Sequence, residues 1–313
     1  MRVFVAGASG VIGRILVRKL TALDHRVTAM TRSREKAALL RRLGADAVVA
    51  DGLDRVATLG AVGLAAPDVV IHQMTGLAGV KDLKNFDAEY ALTNRLRSEG
   101  TDNLLEAAKA TGVSRFVAQS YAGWTYERSG NSPKTEEDPF DPIPPPNQKE
   151  SLKALRHLEE AVINAEGVKG TVLRYGTFYG PGTGISAGGE VVEMIRQRKL
   201  PIIGDGSGVW SFVHVEDAAT ATLAAMANGF RGIYNIVDDD PAPVHEWLPD
   251  LARAVNAKPP LRVPVWIGNL AAGEVGVSMM TQIRGVSNAK ARRELGWAPR
   301  YKSWREGFKS GLE

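Results

Sequence analysis

Residues 3–13 read VFVAGASGVIG, and this stretch decides the fold. Its leading apolar residues predict a buried strand over residues 2–6, and the apolar spacing that follows predicts a helix over about residues 11–22. A second predicted strand, over residues 26–30, comes directly after that helix. The segment therefore predicts a βαβ unit with a glycine-rich turn between its first strand and its helix.

The glycines of this turn have the spacing of a dinucleotide-binding site. Gly7 permits a tight turn, Gly10 lets the backbone approach a pyrophosphate, and Gly13 lets the helix pack closely on the strand. Amides and the dipole at the helix N-terminus favour the phosphates. The predicted cofactor contacts in this turn are Gly7, Ser9, Gly10, Val11, Ile12 and Gly13. The alternative is a glycine turn that joins strand and helix without a ligand.

The end of the second strand indicates which dinucleotide binds. An acid there accepts a hydrogen bond from the ribose 2′-hydroxyl of NAD and repels the 2′-phosphate of NADP. This chain has Thr31, Arg32, Ser33 and Arg34, with no acid before Glu35. Because guanidinium groups bind phosphate through two hydrogen bonds, Arg32 and Arg34 favour NADP. The alternative is that these arginines only open a surface helix.

Asp51 and Gly52 follow the third predicted strand, near residues 47–50. An acid at this point reaches the adenine amino group, so both residues belong to the predicted cofactor site. Asp51 is equally suited to capping the next turn, and the two interpretations stay open.

The composition limits the class of protein. The 313 residues, 44% of them hydrophobic, suffice for a full core, and the absence of cysteine excludes disulfides and thiolate metal sites. No apolar run approaches the ~20 residues of a membrane helix, and the first run is too short for a signal peptide. Basic residues are interspersed with acidic ones at a net charge of +4. We expect a cytoplasmic protein that binds neither nucleic acid nor a membrane.

Metal binding is not expected either. No pair of histidines has the spacing of metal ligands. The run Asp238-Asp239-Asp240 before Pro241 is expected to be a solvated turn rather than a cation site.

The rest of the chain continues the alternation of strands and helices. Strands are predicted near residues 68–72, 115–119 and 170–174, with a long helix ending at Ala110 and a proline-rich loop over residues 129–146. The expected fold class is α/β, a Rossmann-type doubly wound parallel sheet with a smaller C-terminal substrate-binding part. We assign residues 1–174 plus about 212–237 to the NADP-binding Rossmann domain, and about 175–211 plus 238–313 to the substrate-binding part.

Four further segments resemble those of a known family. They read GTDNLL at residues 100–105, LRYGTFYGP at 173–181, WSFVHVEDAA at 210–219 and ARRELGWAP at 291–299. With the glycine turn, the chain resembles an extended short-chain dehydrogenase/reductase of the NAD-dependent epimerase/dehydratase type over nearly its whole length. The resemblance implies a hydride-transferring enzyme whose ligands lie beyond the carboxyl ends of the strands.

The chain departs from that family on its catalytic helix. The family carries Tyr-x-x-x-Lys there, a tyrosine acid/base beside a lysine that lowers its pKa. Here residues 149–160 read KESLKALRHLEE, without a tyrosine. If Lys153 is the family lysine, Lys149 holds the tyrosine position. If instead the acidic pair of this segment sets the register, the lysine position falls at Leu155 or Arg156, and the register stays open.

The neighbouring active-site positions are altered as well. Tyr121 stands where the family has its catalytic serine, and Arg97 stands at the family asparagine. We hypothesise that the Tyr121 phenol delivers a proton, assisted by Ser120 and by the cation of Lys153. The alternative is that Tyr121 is a half-buried aromatic that contacts substrate without exchanging protons.

Tyr175 and Tyr179 lie where the substrate loop of the family begins. We predict that both contact the substrate. The alternative for each is a packing role in the interior.

Together these features predict an NADP(H)-dependent oxidoreductase that transfers hydride to or from a carbonyl or related carbon of a small polar substrate. A non-catalytic NADP-binding sensor or regulator is one alternative, because Tyr-x-x-x-Lys is missing. An epimerase or dehydratase that holds its nucleotide tightly is the other. The expected partner is a small-molecule substrate, and a homodimer stays open.

Overall fold

The computed structural model describes residues 1–77, 82–228 and 230–313. Its strands are β1 Arg2–Ala6, β2 Arg26–Thr31, β3 Asp46–Val49, β4 Val69–His72, β5 Arg115–Tyr121, β6 Lys169–Tyr175, β7 Thr177–Tyr179, β8 Ile202–Ile203, β9 Val209–Trp210, β10 Phe212–His214, β11 Gly232–Ile236, β12 Ala242–Pro243 and β13 Arg262–Val263. Its α-helices are α1 Val11–Ala22, α2 Arg34–Arg42, α3 Arg55–Ala65, α4 Phe86–Glu89, α5 Ala91–Arg97, α6 Glu99–Ala110, α7 Lys149–Ile163, α8 Glu190–Arg196, α9 Val215–Asn228, α10 Val244–Ala254, α11 Val265–Thr281, α12 Ala289–Leu295 and α13 Trp304–Ser310.

Seven strands form one parallel sheet in the order β11-β6-β5-β4-β1-β2-β3. Val3 of β1 lies opposite Val27 of β2 on one side and Val69 of β4 on the other. The chain runs outward from β1 to β3, returns to β4 and then runs outward the other way. The predicted doubly wound fold is confirmed, and its ligand crevice lies at the carboxyl ends of β1 and β4, where the strand order reverses.

Both faces of this sheet are buried, which explains the continuous apolar strands. Val3 and Val5 belong to a core shared with α1 and α9. Phe4 and Ala6 belong to a second core shared with α3, α6 and α7. Because alternate residues of a strand point to opposite faces, a one-residue step decides which core a side chain joins.

The helical segment before β5 differs from the single long helix that the sequence predicts. It consists of α4, α5 and α6, with a break at Ser98, whose ψ is −83°. The Ser98 hydroxyl donates to the Asn94 carbonyl at 3.0 Å, a back-bond that bends helices. The sequence prediction also omitted α3, whose N-terminus is capped by Asp54 accepting from the Ala57 amide at 3.0 Å.

The C-terminal part has a core of its own, in which Trp247 and Trp304 are fully buried. It comprises the short strand pairs and helices α8, α10, α11 and α13. Helix α12 lies inside the predicted bounds of this part. Ala291 and Leu295 of α12 nevertheless pack into the core of β1 and α1, so the chain returns to the Rossmann sheet there.

The acidic run after β11 is not the solvated turn that was expected. Asp238 is 2% exposed, and burial raises its pKa to about 8. Asp239 accepts from Arg292 at 2.8 Å, and Asp240 accepts from the Ser303 hydroxyl at 2.6 Å. The expectation is wrong for Asp238, and Asp239 alone is exposed, because C-terminal elements, which follow far along the chain, fold back onto the run.

Among the helices of the described residues, none is long and apolar enough to cross a membrane. In the same described ranges, His, Asp and Glu side chains form no group of three that could hold a metal ion. The cytoplasmic location and the absence of a nucleic-acid partner stay predictions.

Candidate active site

A cavity of 740 Å³ opens at the carboxyl ends of the central strands, at the reversal of strand order. Its volume is in the range of small-molecule and cofactor pockets. The predicted cofactor residues that line it are Gly7, Ser9, Gly10, Val11, Ile12, Gly13, Arg32 and Gly52. The predicted site residues outside this lining are Arg34, Asp51, Ser120, Tyr121, Lys153, Tyr175 and Tyr179.

The glycine turn between β1 and α1 is held by close backbone contacts. Gly7 has φ +82°, and a Cβ on it would lie 2.5 Å from the Gln73 carbonyl carbon. A Cβ on Gly13 would lie 2.4 Å from the Gly7 carbonyl oxygen. No side chain caps the N-terminus of α1, so its first amides are free to bind a pyrophosphate at the cavity wall.

Two cations line the cavity where β2 ends, Arg32 and Lys36. Arg34 is exposed on α2 and does not line it, which corrects the predicted pair of arginines. The reason is where the helix begins: Ser33 is the N-cap of α2, and within the first turn Arg34 lies outside the cavity wall while Lys36 lines it. Ser33 caps α2 by accepting from the Lys36 amide at 3.1 Å, and the Thr31 hydroxyl donates to Ser9 at 2.9 Å.

At the end of β3 the backbone, rather than the acid, lines the cavity. Ala50 and Gly52 contribute to the wall. Asp51 turns away and accepts from the Leu53 amide at 3.0 Å. Of the two interpretations that the sequence left open, the structure therefore shows the turn-capping one.

Ser120 faces away from the cavity. Gln119 lines the cavity, and the next residue of β5 points to the opposite face of the sheet. There the Ser120 hydroxyl donates to Glu159 at 2.6 Å, and Arg174 donates to both carboxylate oxygens of Glu159 at 2.8 and 2.6 Å. Arg174 also donates to Tyr126 at 2.8 Å. Ser120 is thus part of a buried structural network, which corrects its predicted catalytic role.

Tyr121 lies on the same face of β5 as Gln119, two residues further toward the strand's carboxyl end. Its hydroxyl is 3.4 Å from the Thr177 hydroxyl, and its ring centroid is 6.1 Å from that of Trp124. Phe178, adjacent to Thr177, lines the cavity. Burial raises the pKa of Tyr121, so its phenol is protonated at neutral pH.

Helix α7 turns its cations away from the sheet. Lys149, Lys153 and Arg156 are all exposed, whereas Leu155 is fully buried and Glu159 is 4% exposed. Of the acidic pair, Glu159 therefore faces inward, with Leu155 one turn before it, and Glu160 is exposed. Lys153 does not reach the cavity, which corrects its predicted role as a catalytic cation.

Neither tyrosine of the predicted substrate loop contacts the cavity. Tyr175 is fully buried, and its hydroxyl lies 2.6 Å from that of Thr222 and 3.4 Å from the Gln73 amide nitrogen. Tyr179 is also fully buried, and its ring packs edge-on against Phe308. The packing alternative is the one that the structure shows, because β6 and β7 run through the interior.

The sequence profile of the NAD dependent epimerase/dehydratase family matches residues 3–237. The chain belongs to this family. A Streptomyces protein named 3-diazoavenalumate denitrifying reductase is 42% identical to it, over 98% of this chain and 99% of its own length.

Solved structures of the family have the same fold. UDP-glucose 4-epimerase from Thermotoga maritima, solved with UDP-glucose, is 25% identical with a TM-score of 0.78, over 100% of this chain and 97% of its own. UDP-glucose 4-epimerase from Thermus thermophilus, solved with NAD, is 25% identical with a TM-score of 0.74, over 100% and 98%. Membership confirms the predicted NAD(P)-dependent oxidoreductase of the extended short-chain type, with a nicotinamide dinucleotide as cofactor.

This family member has cavity residues that sequence reasoning missed. Lys36 lies four residues after Arg32, in the first turn of α2, and its charge so close to the end of β2 is the signal that could have identified it. Gln73 follows β4 and Gln119 lies within β5, and only the three-dimensional order of β1, β4 and β5 brings them together at the cavity.

Proposed function

We propose that this family member is an NADPH-dependent reductase that transfers hydride to a carbonyl or related electrophilic carbon of a small polar substrate. The observation that carries the proposal is the cavity, which has uncapped helix amides and two cations at one end and Gln119 and Phe178 at the other. The Streptomyces relative is itself named a reductase, which supports the reductive direction. Residues 182–184 of the C-terminal part also line the cavity, so a substrate would bind between the two parts.

The preference for NADP rests on charge at the end of β2. Arg32 and Lys36 stand where a 2′-phosphate would lie, and Arg32 offers the planar, two-pronged donor that phosphate favours. Among the described residues that line the cavity, the one acid is Glu190, which belongs to α8 and not to β2. A carboxylate that would repel the 2′-phosphate is therefore missing from this part of the described wall.

The proton would come from Tyr121. A bound dihydronicotinamide would supply a hydride with its electron pair. The substrate carbon accepts that pair, the C=O π electrons move to oxygen, and the Tyr121 hydroxyl gives its proton to that oxygen. Because the phenol is protonated at neutral pH and only half-buried, it is able to donate and to recover its proton from solvent.

A second candidate is the reductive removal of nitrogen from a diazo group. It is favoured by the name of the Streptomyces relative together with the outward-facing cations of α7. A diazonium carbon that accepts hydride loses N₂ and becomes C–H, so the reaction R–N₂⁺ + H⁻ → R–H + N₂ needs no proton donor. A site without an inward-facing tyrosine–lysine pair on α7 would suffice for it.

The test is oxidation of NADPH and NADH, followed by absorbance, with a panel of ketones and aldehydes and a panel of aryl diazonium salts. We expect NADPH to be the better donor. Tyr121→Phe should lower carbonyl reduction by ~10²–10⁴-fold but leave diazonium reduction within a few-fold of the parent. If NADPH is not oxidised in the presence of either panel, the proposal is contradicted. Nucleotide retained through purification would then favour the epimerase or dehydratase alternative.

A further inference from the structure

Arg97, the last residue of α5, is a buried cation that forms no ion pair with the described residues. Its side chain is 4% exposed, and its Nη1 has no hydrogen-bond partner. Arg174, the other deeply buried arginine near β5, differs because Glu159 holds it through two hydrogen bonds. An unpaired buried guanidinium is costly, so a purely structural role does not explain Arg97.

The groups that face Arg97 electrostatically are the phenols of Tyr90 and Tyr121, the carboxylate of Glu159 and the imidazole of His72, whose pKa burial lowers to about 4, so that it is neutral. Glu159 is already committed to Arg174, so it does not serve as a counter-ion for Arg97. Burial raises the pKa of Tyr90 to about 12, which keeps that phenol neutral. The remaining group that can become an anion beside Arg97 in the reaction is Tyr121.

Helix α7 places no cation beside Arg97 and Tyr121, since Lys149, Lys153 and Arg156 are exposed. Leu155, one turn before Glu159, packs in an apolar cluster against which Tyr90 and Tyr121 also lie. Leu96, the residue of α5 that precedes Arg97 in the sequence, lines the cavity. The positive charge at the reaction end thus comes from α5 instead of α7.

We propose that Arg97 is a positioning residue for Tyr121, whose phenolate it stabilises when Tyr121 gives its proton to the substrate oxygen. The inference rests on the proposed carbonyl reduction. Before proton transfer the Arg97 guanidinium lacks a counter-ion. After proton transfer the Tyr121 phenolate becomes its counter-ion, so the attraction between the two groups is strongest when Tyr121 carries the negative charge. Burial lowers the pKa of Arg97 to about 10, which leaves it charged at neutral pH.

The first test is the titration of Tyr121 in the full chain. Ring-¹³C-labelled tyrosine gives one signal per phenol, and the Tyr121 signal is the one lost in Tyr121→Phe. In Arg97→Met this signal should titrate at higher pH than in the parent, and in Arg97→Lys it should titrate close to the parent. Arg95→Met is the matched control, because Arg95 is on the same helix but is exposed and paired with Glu99.

The second test is carbonyl reduction. Arg97→Met should lower turnover by about tenfold, the equivalent of one pKa unit of lost phenolate stabilisation, with the KM for NADPH unchanged. Arg97→Lys should recover most of the turnover, and the alkaline limb of the pH profile should move upward in Arg97→Met only. Because an unpaired buried charge is removed, Arg97→Met should melt at or above the parent temperature.

An unmoved Tyr121 titration in folded Arg97→Met overturns the inference. If that variant does not fold, Arg97→Gln gives the same measurement with the same criterion. Failure of the proposed function is separate: a shifted titration with no carbonyl reduced would leave the Arg97–Tyr121 pairing intact and reassign the reaction.

Discussion

The two ends of the cavity are built in different ways. At the pyrophosphate turn of the phosphate end the wall is backbone, with Gly7 and Gly13 in close contact with neighbouring main chain and no side chain capping α1, and Arg32 and Lys36 add side-chain charge beside it. The other end, where we propose that the reaction takes place, is lined by side chains such as Gln119 of β5 and Leu96 of α5, while Tyr121 and Arg97 of the same elements lie outside the lining. A site built from backbone needs glycine at fixed positions of one segment. A site built from side chains can receive the same charged group from a different helix or strand.

This difference explains why the phosphate end retains the family pattern while the reaction end departs from it. Glycines at two positions of this turn have no substitutes, because any Cβ at Gly7 or Gly13 would collide with main chain. A phenol and a cation, in contrast, need only reach the same point in space. If this explanation holds, substitutions at the glycine turn should abolish dinucleotide binding, whereas substitutions of the exposed lysines on α7 should leave turnover unchanged.

The largest effect is expected from Gly13→Ala. A Cβ there would lie 2.4 Å from the Gly7 carbonyl oxygen and 2.7 Å from the Ala8 backbone, so α1 must move away from the phosphate turn. We expect NADPH affinity to fall by ~100-fold or more, about 2.7 kcal/mol. Fluorescence titration with NADPH measures it. Gly60→Ala in α3 is the control, since its Cβ would meet nothing within 4 Å and should leave binding unchanged.

Near-normal NADPH affinity in folded Gly13→Ala would show that the dinucleotide does not lie against this turn. The phosphate end would then lose the property that distinguishes it from the reaction end.

The same contrast decides how much the sequence could predict. The β1–α1–β2 unit is local: helix α1 was predicted over Val11–Ala22 and has those bounds, because apolar runs and glycines specify it without distant contacts. Which face of β5 meets the cavity is not local. Gln119 lines the cavity and Ser120 joins the Glu159 network because of how β4, β6 and α7 pack around the strand, and one sequence does not specify that orientation.

Which charged helix residues face the cavity is likewise not specified by the local sequence. Arg32 and Arg34 are equally basic in sequence, but α2 starts at Arg34 and turns it away while Lys36 comes back to the cavity. Lys153 and Arg97 form a second such pair, one exposed on α7 and one buried at the end of α5. A pattern of residue types shows that cations are available, and the helix bounds decide which of them point inward.

The next largest effect concerns the choice of dinucleotide. Arg32→Ala and Lys36→Ala should each weaken NADP binding by about tenfold, since a charge-assisted hydrogen bond contributes about 1.5–3 kcal/mol, and should scarcely change NAD binding. Arg34→Ala is the matched control from the same segment and should behave like the parent. Isothermal titration of all three variants with both dinucleotides measures this. Equal affinities of the unmutated chain for NADP and NAD would contradict the NADP preference.

A smaller effect is expected from Ser120→Ala. Its hydroxyl donates to Glu159 in the buried network, and Arg174 still holds that carboxylate when the serine is gone. The free energy of unfolding should fall by about 1.5 kcal/mol, the lower end for a hydrogen bond to a charged group, and turnover should stay within a few-fold of the parent. Urea unfolding and steady-state kinetics measure the two separately. A large loss of turnover with unchanged stability would return Ser120 to the catalytic site and weaken the distinction between the two faces of β5.

The smallest effect is expected from Lys153→Met, which tests whether α7 has lost its catalytic role. The Lys153 ammonium is exposed on the outer face of α7, while the inner face carries Leu155 and Glu159. Methionine is a good helix former, so stability should change by no more than about 0.5 kcal/mol. Turnover and the KM for NADPH should equal those of the parent, as they should in Lys149→Met, the control one turn earlier. A tenfold fall in turnover in Lys153→Met, without the same fall in Lys149→Met, would mean that Lys153 reaches the nicotinamide during catalysis. Arg97 would then no longer be needed as the cation of the reaction end, and that end would be built from the same helix as in the rest of the family.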